Sequence, residues 1–199
     1  MHLQPIFADS FILFKNIDLD HDETKLFLQN QNYRLEKKEN QSLMSNSIKI
    51  LDQTNVGYNI KKVFDKYIIQ AIDAWGYNVK HRIVNSWATK TYPNNNSHLH
   101  RHLNFWLTTV YYPKSNNKFK IKFESDRFDL TDFDIHIKNK NTFNSRNFIQ
   151  EVESGDLIIF SARLKHQIEY NDTDEIRYSL ATNILPKGCI GSRDTELVL

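Results

Sequence analysis

The stretch Ala71–Tyr92, AIDAWGYNVKHRIVNSWATKTY, changes its hydrophobic period at Gly76. Upstream, Ile60, Val63, Phe64, Tyr67, Ile68, Ala71, Ile72 and Trp75 recur at three- and four-residue spacing. That is the stripe of a core-supporting helix over 57–76, closed by a glycine. Downstream the period drops to two, so alternate side chains leave opposite faces of a strand. The alternation runs on from RIVNSWATKTY (82–92) through NFWLTTVYY (104–112), KFKIKFES (118–125) and FDIHIK (133–138). It continues in FIQEV (148–152), DLIIFSA (156–162), HQIEY (166–170) and IRYSLATNIL (176–185). Turn-forming runs such as PNNN, YPKSNN, ESGD and NDTDE separate these segments.

Before the helix, residues 5–17 read as one or two short strands. Asp20 and Asp22 offer N-caps for a short helix in ETKLFLQNQNY (23–33), and the polar KKENQSLMSNS (37–47) reads as loop. A mixed helical third followed by about eight short strands predicts a mostly β fold, a sandwich or jelly roll with helices packed on one sheet. No repeat, low-complexity tract or linker divides the chain. One domain over 1–199 is expected, with support at 1–80, a β core at 81–186 and a tail at 187–199.

Composition agrees with a packed domain. In 199 residues, 40% hydrophobic and 13% aromatic content supports a sizeable core. The net charge of +2 argues against a general nucleic-acid coat and leaves a local basic patch open. The single cysteine, Cys189, excludes an intramolecular disulfide and an all-cysteine zinc site. It fits a reducing, cytoplasmic home. The N-terminal MHLQPIFADSFILFKNIDLD lacks a basic n-region and breaks its apolar run at Asp9 and Ser10, so neither a signal peptide nor a membrane span is expected.

Chemistry concentrates in SHLHRHLN (97–104), where His98, His100 and His102 alternate. On an extended chain all three leave one face. They bind a metal, form a solvated polar stripe, or matter only in part. A metal site on a β fold draws ligands from more than one strand. His166, in GDLIIFSARLKHQIEY, is the distant candidate. Imidazoles suit Fe, Zn, Cu or Ni alike. Arg177 and Ser179 share a face of the last long strand, and an arginine fork beside a hydroxyl suits one carboxylate in a buried pocket. The alternative for Arg177 is a salt bridge to Asp172 or Asp174.

Three blocks, VNSWATKTYPNNNSHLHRHLNFWLTTVYYP, VESGDLIIFSARLKHQIEYN and EIRYSLATNILP, resemble the 2-oxoglutarate- and Fe(II)-dependent oxygenases. Specifically, they resemble an uncharacterised branch related to prolyl hydroxylases and found in viruses and bacteria. That pattern runs from a tryptophan strand through His-x-His and a VYY strand. A GDLIIF hairpin ending in His follows, then Arg-x-Ser and Asn, in matching order over about residues 82–186. Counting back from Val110-Tyr111-Tyr112 sets the His-x-His on His100 and His102 and leaves His98 extra, exposed or behind the ligands. Many relatives carry His-x-Asp here, so His102 stands where a carboxylate would be.

The resemblance implies a double-stranded β-helix and a dioxygenase, a hydroxylase coupling 2-oxoglutarate decarboxylation to succinate with substrate oxidation. Iron would sit on His100, His102 and His166. The far carboxylate of 2-oxoglutarate would reach Arg177, with Ser179 and Tyr112, and O2 would be the oxidant. The primary substrate is unassigned. A protein side chain or small molecule is favoured over nucleic acid, with no membrane partner, and a viral source would place the enzyme in host cytoplasm. The alternatives are a non-catalytic jelly-roll module that binds a metal or ligand and, more weakly, a zinc hydrolase. His2, His21, His81 and His136 are expected at the surface. Trp87, Trp106, Tyr111 and Phe160 are expected in the core, and Asn183 in a structural role. Segment 125–148 reads either as a substrate lid or as an ordinary hairpin.

Overall fold

The computed structural model describes residues 9–35, 41–114, 119–125 and 135–199. In chain order they form β1 (Phe11–Phe14), α1 (His21–Gln29), β2 (Tyr33–Leu35), β3 (Leu43–Ser45), a 3₁₀ turn at Ile50–Asp52 and α2 (Asn55–Ala74). Then come β4 (Lys80–Thr91), β5 (Leu107–Tyr111), β6 (Phe119–Glu124), β7 (Asn147–Val152), β8 (Leu157–Ser161) and β9 (Lys165–Ile168). The chain closes with β10 (Arg177–Lys187), β11 (Cys189–Ile190), a 3₁₀ turn and β12 (Leu197–Val198).

Among the described residues, β1-β8-β5-β10-β4-β3-β2 form one sheet and β7-β6-β9 a second. Every named strand pair in both is antiparallel. The large sheet is buried on both sides, and the alternation along its strands sorts two cores. Leu107, Tyr111, Leu157, Ile159, Leu180 and Ile184 face α2, which supplies Ile60, Phe64, Ile68, Ala71 and Ile72. Val110, Tyr112, Ile158, Phe160 and Ala181 face the small sheet, which supplies Phe119, Ile121 and Phe123. The result is a jelly roll with helices on one sheet, the architecture the period change at Gly76 predicts.

Local chemistry sets the helix ends. Asp20 accepts from Glu23 N at 2.8 Å and caps α1. Thr54 accepts from Gly57 N at 3.0 Å and starts α2 two residues earlier than the stripe suggests. In the ESGD turn Gly155 has φ +84°, and a Cβ there would meet Asn16 Oδ1 and His21 Nε2, both at 2.7 Å. Only glycine fits that approach.

Four expectations change. The helix predicted over 23–33 ends at Gln29, and Tyr33–Leu35 turns into β2. The loop predicted over 37–47 contains β3, which pairs with both β2 and β4; residues 37–40 lie outside the described set. FDIHIK forms no strand over 135–138, because alternation needs a ladder partner and the described residues offer none; 133 and 134 lie outside them. The tail beyond 187 forms the β11–β12 hairpin. Of the lid-or-hairpin segment, 126–134 lies outside the described residues, and the strand that follows is β7.

Candidate metal and cosubstrate site

His100 and His102 lie on the connection from β4 to β5, which runs extended against β9. His100 N donates to His166 O at 3.0 Å and His166 N to His100 O at 2.9 Å. His102 N donates to Ala162 O at 2.8 Å. That pairing holds 98, 100 and 102 in the alternation their spacing predicts and sets the pair opposite His166 of β9. The ring centroid of His166 lies 4.5 Å from that of His100 and 5.1 Å from that of His102.

Hydrogen bonding fixes the tautomers. His100 Nδ1 donates to the His98 carbonyl at 2.8 Å, and His166 Nδ1 to the Leu164 carbonyl at 2.9 Å. A carbonyl can only accept, so both Nδ1 atoms carry the proton and both Nε2 atoms carry the lone pair. His102 Nδ1 donates to Asn183 Oδ1 at 2.5 Å, with the same consequence. The Nε2 atoms of His100 and His102 face each other at 3.2 Å. The prospective ligand atoms of all three histidines lie within 4.8 Å of one another. Lone pairs so converged repel unless a cation sits among them.

Burial keeps the rings of His102 and His166 neutral, which is the metal-binding form. It pushes His102 down to about 4, against the Asn183 bond, with His100 and His98 adding to the fall. It holds His166 well below the ordinary histidine value, helped by His100 and His102. No carboxylate joins the group among the described residues. These donors fit a divalent transition metal, and the bonds behind each ring are the kind that orient such ligands.

The other end of the site lies along the same sheet face. Arg177, Ser179 and Asn183 alternate on the inner side of β10. Arg177 is 7% exposed and Ser179 8%. The Arg177 guanidinium lies 5.5 Å over the Phe119 ring, and its Nη2 donates to Glu169 O at 2.7 Å. Burial disfavours its charge, opposed by Tyr112 and Asp172. The alternative, a salt bridge to Asp172 or Asp174, is not among the ion pairs of the described residues. The Tyr112 ring stacks on Phe119 at 4.8 Å. Its hydroxyl is fully buried without a hydrogen-bond partner, and burial raises its pKa. Phe119 by Arg177 and Phe123 opposite His166 are four residues apart on β6, about 13 Å of strand.

Some expectations about single residues change here. Trp87, expected in the core, does pack against the inner core but also lines the cleft of about 360 Å³ outside the histidines, its ring 5.4 Å from His102. Asn183, expected to be structural, bonds His102. The His98 ring lies 4.6 Å from that of His100, tilted 38° to it, and lines the same cleft. His21 and His81 are not free surface residues. His21 accepts from the Tyr111 hydroxyl at 2.5 Å while its Nε2 donates to Asn16 Oδ1 at 2.9 Å, and His81 Nε2 lies 3.0 Å from Asp65. Tyr111 and Phe160 are core residues as expected, and His136 is exposed. His2 lies outside the described residues.

Residues 85–183 match the protein family described as "Putative 2OG-Fe(II) oxygenase". No curated protein matches in sequence. Among solved structures, the chain resembles HygX from Streptomyces hygroscopicus, solved with nickel, 2-oxoglutarate and hygromycin B bound, at TM-score 0.64 and 11% identity. That likeness covers 89% of this chain and 83% of HygX. It also resembles the prolyl hydroxylase from Trichoplax adhaerens, solved with a hypoxia inducible factor peptide fragment, at TM-score 0.62 and 11% identity, covering 89% and 84%. A Pseudomonas putida prolyl-4-hydroxylase is similar at TM-score 0.61 and 9% identity, covering 91% and 95%.

Proposed function

Residues 85–183 are the core of a 2-oxoglutarate- and Fe(II)-dependent oxygenase, and on that premise we propose that His100, His102 and His166 hold the iron while Arg177, with Tyr112 and Ser179, anchors 2-oxoglutarate. The observation that carries the reading is the convergence of three Nε2 atoms whose Nδ1 protons are all committed elsewhere. When bound, iron and 2-oxoglutarate supply the oxidising power, consuming O2 and yielding succinate and CO2 as the substrate is oxidised.

The chain's own residues orient and exclude. Arg177 offers a buried charge to the far carboxylate, and Tyr112 offers a proton donor that lacks a protein acceptor. Val110, Phe119, Phe160 and Ala181 wall the space between the sheets and keep it dry. The cleft beside His98, His102, Trp87 and Arg101 opens toward solvent and admits the substrate. We assign the reaction as hydroxylation of a C–H bond on a protein side chain or small molecule. Support comes from solved structures of this fold that hold a peptide fragment in one case and hygromycin B in another.

The test is turnover of 2-oxoglutarate to succinate with Fe(II) and no added substrate. His166→Ala is expected to abolish it with the fold intact by circular dichroism. Retained turnover would remove His166 from the ligand set.

A further inference from the structure

We propose that Asn183, with Thr108 behind it, is the positioning residue that makes His102 a metal ligand. The inference rests on the three-histidine reading above and deepens it. Asn183 lies on β10, opposite Thr108 of β5, and the two are 5% and 0% exposed. The Asn183 Oδ1 accepts from His102 Nδ1 at 2.5 Å. Thr108 Oγ1 lies 3.2 Å from the same Nδ1 and 3.1 Å from Asn183 Oδ1. Its own proton is within reach of the Thr182 carbonyl at 2.8 Å, so its lone pairs are available to His102. The Nδ1 proton therefore meets two buried oxygens, and the imidazole is held as the Nδ1–H tautomer with Nε2 turned to His100 and His166.

His100 and His166 need no such device, because each gives its Nδ1 proton to a backbone carbonyl two residues earlier. A backbone acceptor comes with the extended chain. His102 is the ligand whose tautomer depends on a side chain 81 residues away. An acceptor behind the ring is what an imidazole requires at that position. An amide oxygen provides it without adding charge to a buried site.

Two substitutions separate positioning from packing. Asn183→Leu keeps the branched shape and removes the acceptor, whereas Asn183→Asp keeps the acceptor and buries a charge. Co(II) titration of the metal-free protein should show affinity falling about 10- to 100-fold in Asn183→Leu and restored in Asn183→Asp. A packing role gives the opposite order, with leucine tolerated and aspartate disruptive, and would overturn the proposal. Because the leucine variant can fail to fold, wild-type protein carrying 15N-labelled histidine supplies a second readout. NMR should report His102 as the Nδ1–H tautomer without metal, and the Nε2–H tautomer there would overturn the proposal with the three-histidine reading still standing. Wild-type protein that binds no Co(II) would overturn both.

Discussion

The hydroxyl of Tyr112 is the buried side-chain polar atom among the described residues that has no hydrogen-bond partner. A buried donor left unpaired costs about 1–3 kcal/mol. It persists next to Arg177 and over Phe119, where the proposed cosubstrate carboxylate would accept from it. Tyr112→Phe is therefore expected to leave the stability of the metal-free protein unchanged or raise it by about 1 kcal/mol. The same change should weaken 2-oxoglutarate binding several-fold. Urea denaturation and a 2-oxoglutarate titration measure the two effects, and lost stability with unchanged binding would give the hydroxyl another role. At this scale the sequence was readable where chain geometry alone places a side chain. His100 and His102 share a face because the run from 97 to 102 is extended, and Arg177, Ser179 and Asn183 share one on β10. It was not readable where distant strands choose the partner. Nothing local in TNILP says that Asn183 will meet His102, and nothing in NSWAT says that Trp87 lines the cleft.

Elements place these residues, and the turn between β7 and β8 shows how. Asp156, with its side chain 2% exposed, accepts from Lys15 Nζ at 2.7 Å, Asn16 N at 3.2 Å and Glu153 N at 2.8 Å. It ties the end of β1 to the start of β8, the edge pair of the large sheet. Asp156→Ala should cost about 2 kcal/mol, because two backbone donors lose their acceptor while Lys15, half exposed, returns to water. A shift in the denaturation midpoint at unchanged slope measures that cost, and a loss below about 0.5 kcal/mol would assign the turn's order to Gly155 alone. The same scale explains which strands could be read. β5, β8 and β10 could be read because each is packed on both faces and so forms a nearly unbroken buried run. β2 and β3 are three residues each and exist through the pairing of β3 with β4, so their polar sequence carries no signal of its own. The alternation of FDIHIK was the converse, a pattern with no described partner. A bulge also interrupts the β4–β10 pairing, where Asn183 opposes Asn85 and Ile184 opposes Ile83. The extra residue, Val84, shifts the parity of β4, so that Ile83 joins the helical core while Asn85 and Trp87 line the cleft.

At the scale of the molecule, the large sheet separates two functions. Its outer face against α2 is mainly apolar packing, with the buried hydroxyls of Thr109 and Thr182 paired to each other at 2.7 Å. Its inner face carries polar residues along one line from Arg177 to Asn183, set within the apolar wall that it forms with the small sheet. Metal and cosubstrate would meet between the two sheets, with the three histidines at one end and Arg177 at the other. Three neutral imidazoles leave the charge of a divalent ion uncompensated, and the dianion of 2-oxoglutarate supplies the missing charge. The overall architecture could be read from the change of period at Gly76 and the order of the strands. The convergence could not, because it depends on β9 crossing the connection that carries His100 and His102.

The measurement that tests this convergence most directly is an anaerobic titration. Fe(II) is added to the metal-stripped protein, then 2-oxoglutarate, while the visible charge-transfer band of the bidentate chelate is followed. A saturable band that disappears in His100→Ala, and needs far more 2-oxoglutarate in Arg177→Ala, is the predicted result. Iron demonstrably bound with no band at any 2-oxoglutarate concentration would contradict the account.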